Sequence, residues 1–344
     1  MRAPTNSRTE EARRAARFRA FMTAGLLLTA AAALAAVGLG RYGVAPADVA
    51  RILMGAGDEL PLAARNIVLN VRLPRILLAL CAGAGLSIAG AAFQSLFANP
   101  LASPDTLGVA TGASFGAVLA ILFGWPSAAV QASSLAMGLA AVALVVVAGR
   151  IRGESTVLSI ILSGMMTGAL FTALVSLVKY AADPQDVLPS ITFWMMGSLT
   201  GASYAGLAAG APALAVGALI LWLLRWPLNA ATLPPDEARS LGIPVKKLRA
   251  AVILAATLVT ASVVSMCGLI GWVGLLVPHA ARMVFGANNR FVIPASALFG
   301  ALFMLAVDTA ARTIAGNEIP VSILTALIGA PFFIYLLRRT GGAR

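Results

Sequence analysis

Groups able to do chemistry are scarce in these 344 residues. His279 is the only histidine, and no Cys, Asp or Glu stands beside it. A metal centre needs several converging ligands, so packing or hydrogen bonding is the plainer role. A nucleophilic Ser or Cys needs a base, and this histidine is the one weak candidate. Cys81 and Cys267 lie inside apolar runs and form no CxxC motif, which suits buried packing. No Gly-Lys-Ser or Gly-Lys-Thr occurs, so the chain has no P-loop and does not hydrolyse ATP itself. Asp308 is the exceptional acid in a long apolar run, four residues from Arg312. On a helix these two share a face and read as a structural ion pair. No catalytic residue, no metal ligand and no cofactor of the chain's own is expected.

That scarcity separates function classes. An ion-coupled secondary transporter carries intramembrane acids or lysines for the driving ion and usually an inverted repeat. Neither is found, and this class stands as the alternative. A membrane-embedded enzyme would want paired carboxylates, which are also missing. If the protein transports, its energy comes from elsewhere. The stretch 226–249, WPLNAATLPPDEARSLGIPVKKLR, is where a motor could grip. Pro234 and Pro235 lead into a short helical pattern, Asp236 and Glu237 suit its first turn, and Gly242 and Pro244 stop it. Taken alone, such a loop reads equally well as merely solvated.

The elements that hold these residues are membrane spans. The chain is 60% hydrophobic and 11% charged, where a soluble domain is about a quarter charged. Mean hydropathy is +0.91. The net charge of +12 does not point to nucleic acid, because the basic residues sit at the ends of apolar runs. The fold class is an all-α polytopic membrane protein with about ten transmembrane helices. The spans are 20–40, 76–97, 106–123, 128–148, 156–178, 204–224, 250–267, a short one within 268–286 broken by Pro278, 291–311, and 320–337. Residues 1–19 form a basic cytoplasmic leader, 20–340 a single transmembrane domain, and 341–344 a cytoplasmic tail. Short amphipathic helices are expected over 46–54 and 191–199. Gly108, Gly112 and Gly116, four apart, form a smooth ridge for helix packing, as do Gly164 and Gly168.

Both termini are basic and read as cytoplasmic, which requires an even number of spans. The segment 41–75 then lies outside and holds Arg41, Arg51, Arg65, Arg72 and Arg75. The positive-inside rule expects fewer there.

NPLASPDTLGVATGASFGA (99–117), GLIGWVGLLVPHAAR (268–282) and EIPVSILTALIGAPFFIYLL (318–337) resemble the FecCD family, and so do VRLPR (71–75), FWMMGSL (193–199) and EARSLGIP (237–244), in the same order. The resemblance covers about residues 20–340. FecCD proteins are the permease subunits of type II ABC importers for iron–siderophore complexes, haem and cobalamin. The resemblance implies the type II ABC importer permease fold and a homodimer, or a paralogous heterodimer, with the path at its two-fold axis. It implies two separate ATPase subunits, which bind ATP and Mg, and a substrate-binding protein outside. The place implied is the plasma (inner) membrane of a bacterium or archaeon, and the cargo an iron–siderophore-type chelate. Haem, cobalamin or an oxyanion such as molybdate are the alternatives.

The family pattern assigns sites. Arg72, Arg75 and Arg312 match positions that meet glutamates on the binding protein; anchoring of the second span remains the other reading for the first two, and pairing with Asp308 for the third. Glu237, Ala238, Arg239, Leu241 and Gly242 match the coupling helix held in an ATPase cleft. Ser155, Thr156, Ser159, Ser163 and Met166 are assigned to the translocation path or gate, with helix packing an equal reading for each.

Overall fold

The computed structural model describes residues 5–149, 157–233, 235–315 and 317–341. All its elements are helical. In chain order they are α1 (Thr5–Gly38), α2 (Pro46–Leu53), α3 (Leu62–Asn66), α4 (Leu73–Leu96), α5 (Val109–Leu122), α6 (Ser127–Ala148), α7 (Val157–Ala181), α8 (Val187–Met195), α9 (Tyr204–Leu223), α10 (Pro227–Ala230), α11 (Pro235–Ser240), α12 (Val245–Cys267), α13 (Val273–Phe285), α14 (Asn289–Thr313) and α15 (Val321–Gly341). Among the described residues, seven helical stretches are long and apolar enough to cross a membrane, and three shorter apolar ones accompany them. Together they reproduce the ten expected spans.

Four differences from the sequence reading stand out. The arginine-rich leader is itself helical from Thr5 and runs without a break into the first span. The second span begins early: α3 leads through a π-helical stretch, Ile67–Arg72, straight into α4. Pro74 has no N–H and crowds the carbonyl one turn back. A wider turn relieves that crowding, and Leu73 N accordingly donates to Val68 O. Pro278 does not break the eighth span, because α13 runs through it. One missing backbone bond is tolerated in a membrane helix packed among neighbours, and Gln94 Nε2 donates at 3.1 Å to Leu275 O, next to the carbonyl that Pro278 leaves free. The interfacial helix expected over 191–199 lies four residues earlier, as α8.

The helices form a core and a rim. Within its apolar window α4 is 78% buried, whereas α1 is 11% buried. α12 and α14 belong with α4 in the core. Lipid tails are as apolar as leucine, so close backbone contact rather than water exclusion holds such helices together. Gly83 of α4 meets Gly300 of α14 so closely that a Cβ on either would overlap the other's carbonyl. A Cβ on Gly90 would likewise overlap the carbonyl of Gly274 in α13.

Candidate functional site

The coupling candidate is a small, locally built unit. α11 spans six residues and ends where Gly242 adopts φ +74°. Ile243 N donates to Ala238 O at 3.2 Å, closing the turn, and Pro244 starts the approach to α12. A Cβ at Gly242 would meet no atom within 4 Å, so the glycine is needed for its left-handed backbone rather than for space. Leu241 is 64% exposed and Glu237 is exposed. Ala238 corrects the sequence reading: it is buried within its own chain, where α11 packs on α12, and offers nothing to a partner. The Arg239 side chain lies outside the described residues.

Just ahead of this unit in the chain, Asn229 belongs to a polar network that sequence reasoning missed. Asn229 of α10 accepts from Asn289 N at 2.8 Å and donates to Asn288 Oδ1 at 3.1 Å. Ser95 of α4 donates to Asn289 Oδ1 at 2.7 Å. Arg282 of α13 donates to Ser95 Oγ at 2.8 Å and to Ala91 O at 3.0 Å. Its Nε stands 3.4 Å from Gln94 Oε1. Asn289 is fully buried, and its Nδ2 has no hydrogen-bond partner among the described residues. The available signal was Gln94-Ser95, a polar pair at the end of an otherwise apolar span.

At the opposite end lies a charge cluster. Arg75 Nε and Asp308 Oδ1 are 2.8 Å apart, and Arg75 Nη1 and Glu318 Oε2 are also 2.8 Å apart. Arg312 Nε stands 3.5 Å from Asp308 Oδ2. The ion pair read from the sequence therefore takes second place; the main partner of Asp308 is Arg75. Arg72 donates to Val37 O at 2.7 Å and to Gly38 O at 3.1 Å, and also to Tyr42 O. Arg312 donates to Leu39 O at 2.9 Å and Ala36 O at 2.7 Å. The last carbonyls of a helix lack intrahelical partners and carry its negative dipole end. Two guanidinium groups thus finish α1.

This placement corrects the docking assignment. Arg72, Arg75 and Arg312 are buried, 5%, 5% and 6% exposed. They are occupied by internal carbonyls and carboxylates and do not form an open rim. Arg41 and Arg51 are the arginines left exposed on the same end.

The path residues divide. Met166 is 74% exposed on α7, beside Met165 and Leu162. Ser159 and Ser163 are buried on the other side of that helix, and Ser159 donates to Gly149 O at 2.9 Å, so both face into the protomer. Ser155 and Thr156 lie outside the described residues. Gly112 and Gly116 face α6, and Gly164 faces Thr106 and Leu107. Gly168 stands against Gly108. Gly108 does not continue a ridge with Gly112 and Gly116: it takes φ +69° in the turn ahead of α5. Among the described residues no group of three or more His, Cys, Asp or Glu could hold a metal ion.

The comparisons with known proteins agree with this architecture. The model of the FecCD transport family matches residues 27–339. The molybdate import system permease protein MolB of Haemophilus influenzae is 40% identical over 320 residues, 92% of this chain and 95% of that one. An iron chelatin transport system permease protein of Helicobacter pylori is 41% identical over 278 residues, 80% of this chain and 83% of that one. Among solved structures, an inward-facing conformation of a metal-chelate type ABC transporter superposes with a TM-score of 0.85. The two are 38% identical, and the match covers 93% of this chain and 99% of that chain. A multi-pass helical bundle matched by the family model over almost its whole length belongs to the FecCD transport family of ABC importer permeases.

Proposed function

We propose that this chain is the membrane-spanning half of an ABC importer for a metal chelate of the iron–siderophore type, working in the plasma membrane with its basic end in the cytoplasm. Two copies would enclose the path, two ATPase subunits would bind ATP and Mg below, and a binding protein would deliver cargo from outside. The observation that carries this reading is α11. It is a short helix on the basic end, turned out of the bundle by a left-handed glycine, with Glu237 and Leu241 facing away from their own chain. The absence of a P-loop in the sequence assigns hydrolysis to a partner chain. On the outer side, the exposed Arg41 and Arg51 suit an acidic docking partner, and such contacts mainly set orientation and encounter rate. The exposed apolar face of α7 around Met165 and Met166 suits a weakly binding lining.

Gly242→Val tests the reading. A β-branched residue at positive φ costs on the order of 1–2 kcal/mol locally, too little to unfold the bundle. ATP-driven uptake should collapse while expression and ATPase binding persist. Uptake at the wild-type level, at equal expression, would sink the coupling assignment. Oxyanion transport is the second reading, favoured by the fuller coverage of the molybdate relative. Parallel uptake of labelled molybdate and ferric siderophore in the same cells separates the two.

A further inference from the structure

The basic end of α1 carries two grooves that the transport function does not use. Both are open at the surface of the bundle. The first has a volume of about 610 Å³ and is lined by Arg14, Arg17, Phe21, Phe285 and Asn288. The second, about 470 Å³, is lined by Arg19, Met22, Trp222, Arg225 and Arg290. Phe18 and Phe291 line both and form the wall between them, with ring centroids 4.8 Å apart.

We propose that these grooves bind the headgroup of an anionic phospholipid of the cytoplasmic leaflet, with the arginines of α1, α9's end and α14's start on its phosphate. The proposal rests on the assignment of this end to the cytoplasm. Charge complementarity is the first argument. In the second groove arginines converge from three separate elements, and among the described residues no Asp or Glu lines either groove. Arg17, Arg19, Arg225 and Arg290 form no ion pair among the described residues. Basic pockets between helices on this side suit phosphate headgroups.

Preorganisation is the second argument. Arg225 Nη1 donates to Trp222 O at 2.7 Å, and its guanidinium lies 4.8 Å from the Trp222 ring centroid. The Arg290 guanidinium lies 5.8 Å from the centre of Phe291. Aromatic rings at headgroup depth are usual anchors, and here they hold guanidinium groups as well as pack.

Continuity is the third. Above the grooves, α1 exposes Leu26, Leu27 and Leu28, and α9 exposes Leu219 and Leu223. Those faces are covered by acyl chains. A soluble protein seated on the same arginines would leave them bare, so the lipid satisfies both parts of the surface at once.

The test is native mass spectrometry of the full chain in detergent, titrated with phosphatidylglycerol or phosphatidylcholine. The wild type should retain phosphatidylglycerol preferentially. The triple variant R19Q/R225Q/R290Q should lose about a hundredfold of that affinity, since three basic contacts near the membrane surface are removed. The loss should shrink in high salt, since screening weakens the wild type. Phosphatidylcholine binding should not change. Equal phosphatidylglycerol retention by wild type and triple variant overturns the proposal. So does displacement of the lipid by inorganic phosphate at equal concentration. Should the triple variant fold poorly, R14Q/R17Q in the adjoining groove serves instead, and unaltered retention there is equally fatal. None of these readouts needs uptake, so failure here and failure of Gly242→Val to uncouple are separate results.

Discussion

The two ends of the molecule solve the same problem with different chemistry. Each must join helices far apart in sequence through buried polar groups. The outer end uses full charges: three arginines and two acids locked to one another and to the end of α1. The inner end uses amides and a hydroxyl around one guanidinium, with a buried amide nitrogen left without a hydrogen-bond partner among the described residues. Breaking a buried ion pair strands a charge, whereas a neutral hydrogen bond costs far less to exchange. The outer end is thus built to stay closed. The inner end can trade partners, which suits the coupling role proposed for α11.

Asp308→Ala is the severest way to break this comparison. It leaves Arg75 with Glu318 alone, takes the carboxylate from between Arg75 and Arg312 and should cost about 3–5 kcal/mol, read as the largest fall in thermal stability in detergent. A variant as stable as the wild type would mean that the cluster is not the lock described. Arg282→Gln should come next, at about 1.5–3 kcal/mol for its charged hydrogen bonds, with uptake falling more than stability does. Asn229→Ala should cost about 1 kcal/mol yet slow ATP-driven uptake measurably, since it cuts α10 from α14 just ahead of α11. If stability and uptake fell in proportion for both inner variants, the view of that network as a moving joint would fail. Asp58→Asn marks the floor. Its pair with Arg65 is 2.8 Å long but largely solvated, so a change of about 0–1 kcal/mol is expected.

The same contrast explains what was legible in the sequence. Spans and α11 follow from local rules: apolar runs, prolines at helix starts, glycine at a helix end. They were readable residue by residue. The helix through Pro278 and the π-helical turn before Pro74 were not, because a proline's effect depends on which neighbours take up the freed groups. Arg72 and Arg75 stand out in the sequence, since the charge rule disfavours arginines outside, and Arg312 stands out only through the family pattern. Whether they face water or their own chain depends on acids and carbonyls more than 200 residues away in several cases, such as Asp308 for Arg75 and Ala36 for Arg312. Ser159 and Ser163 taught the same lesson on one helix: composition located α7, but only packing decided which side turns inward.

The Arg75–Asp308 link joins residues 233 positions apart. A ribosome adds roughly 5–20 residues per second, so Arg75 emerges on the order of 10–50 s before the carboxylate that will neutralise it. For that interval the guanidinium must stay hydrated near the membrane surface or be shielded by the insertion machinery. The order of assembly is therefore written into the chain: the outer end of α4 settles into its final depth only after α14 has been made.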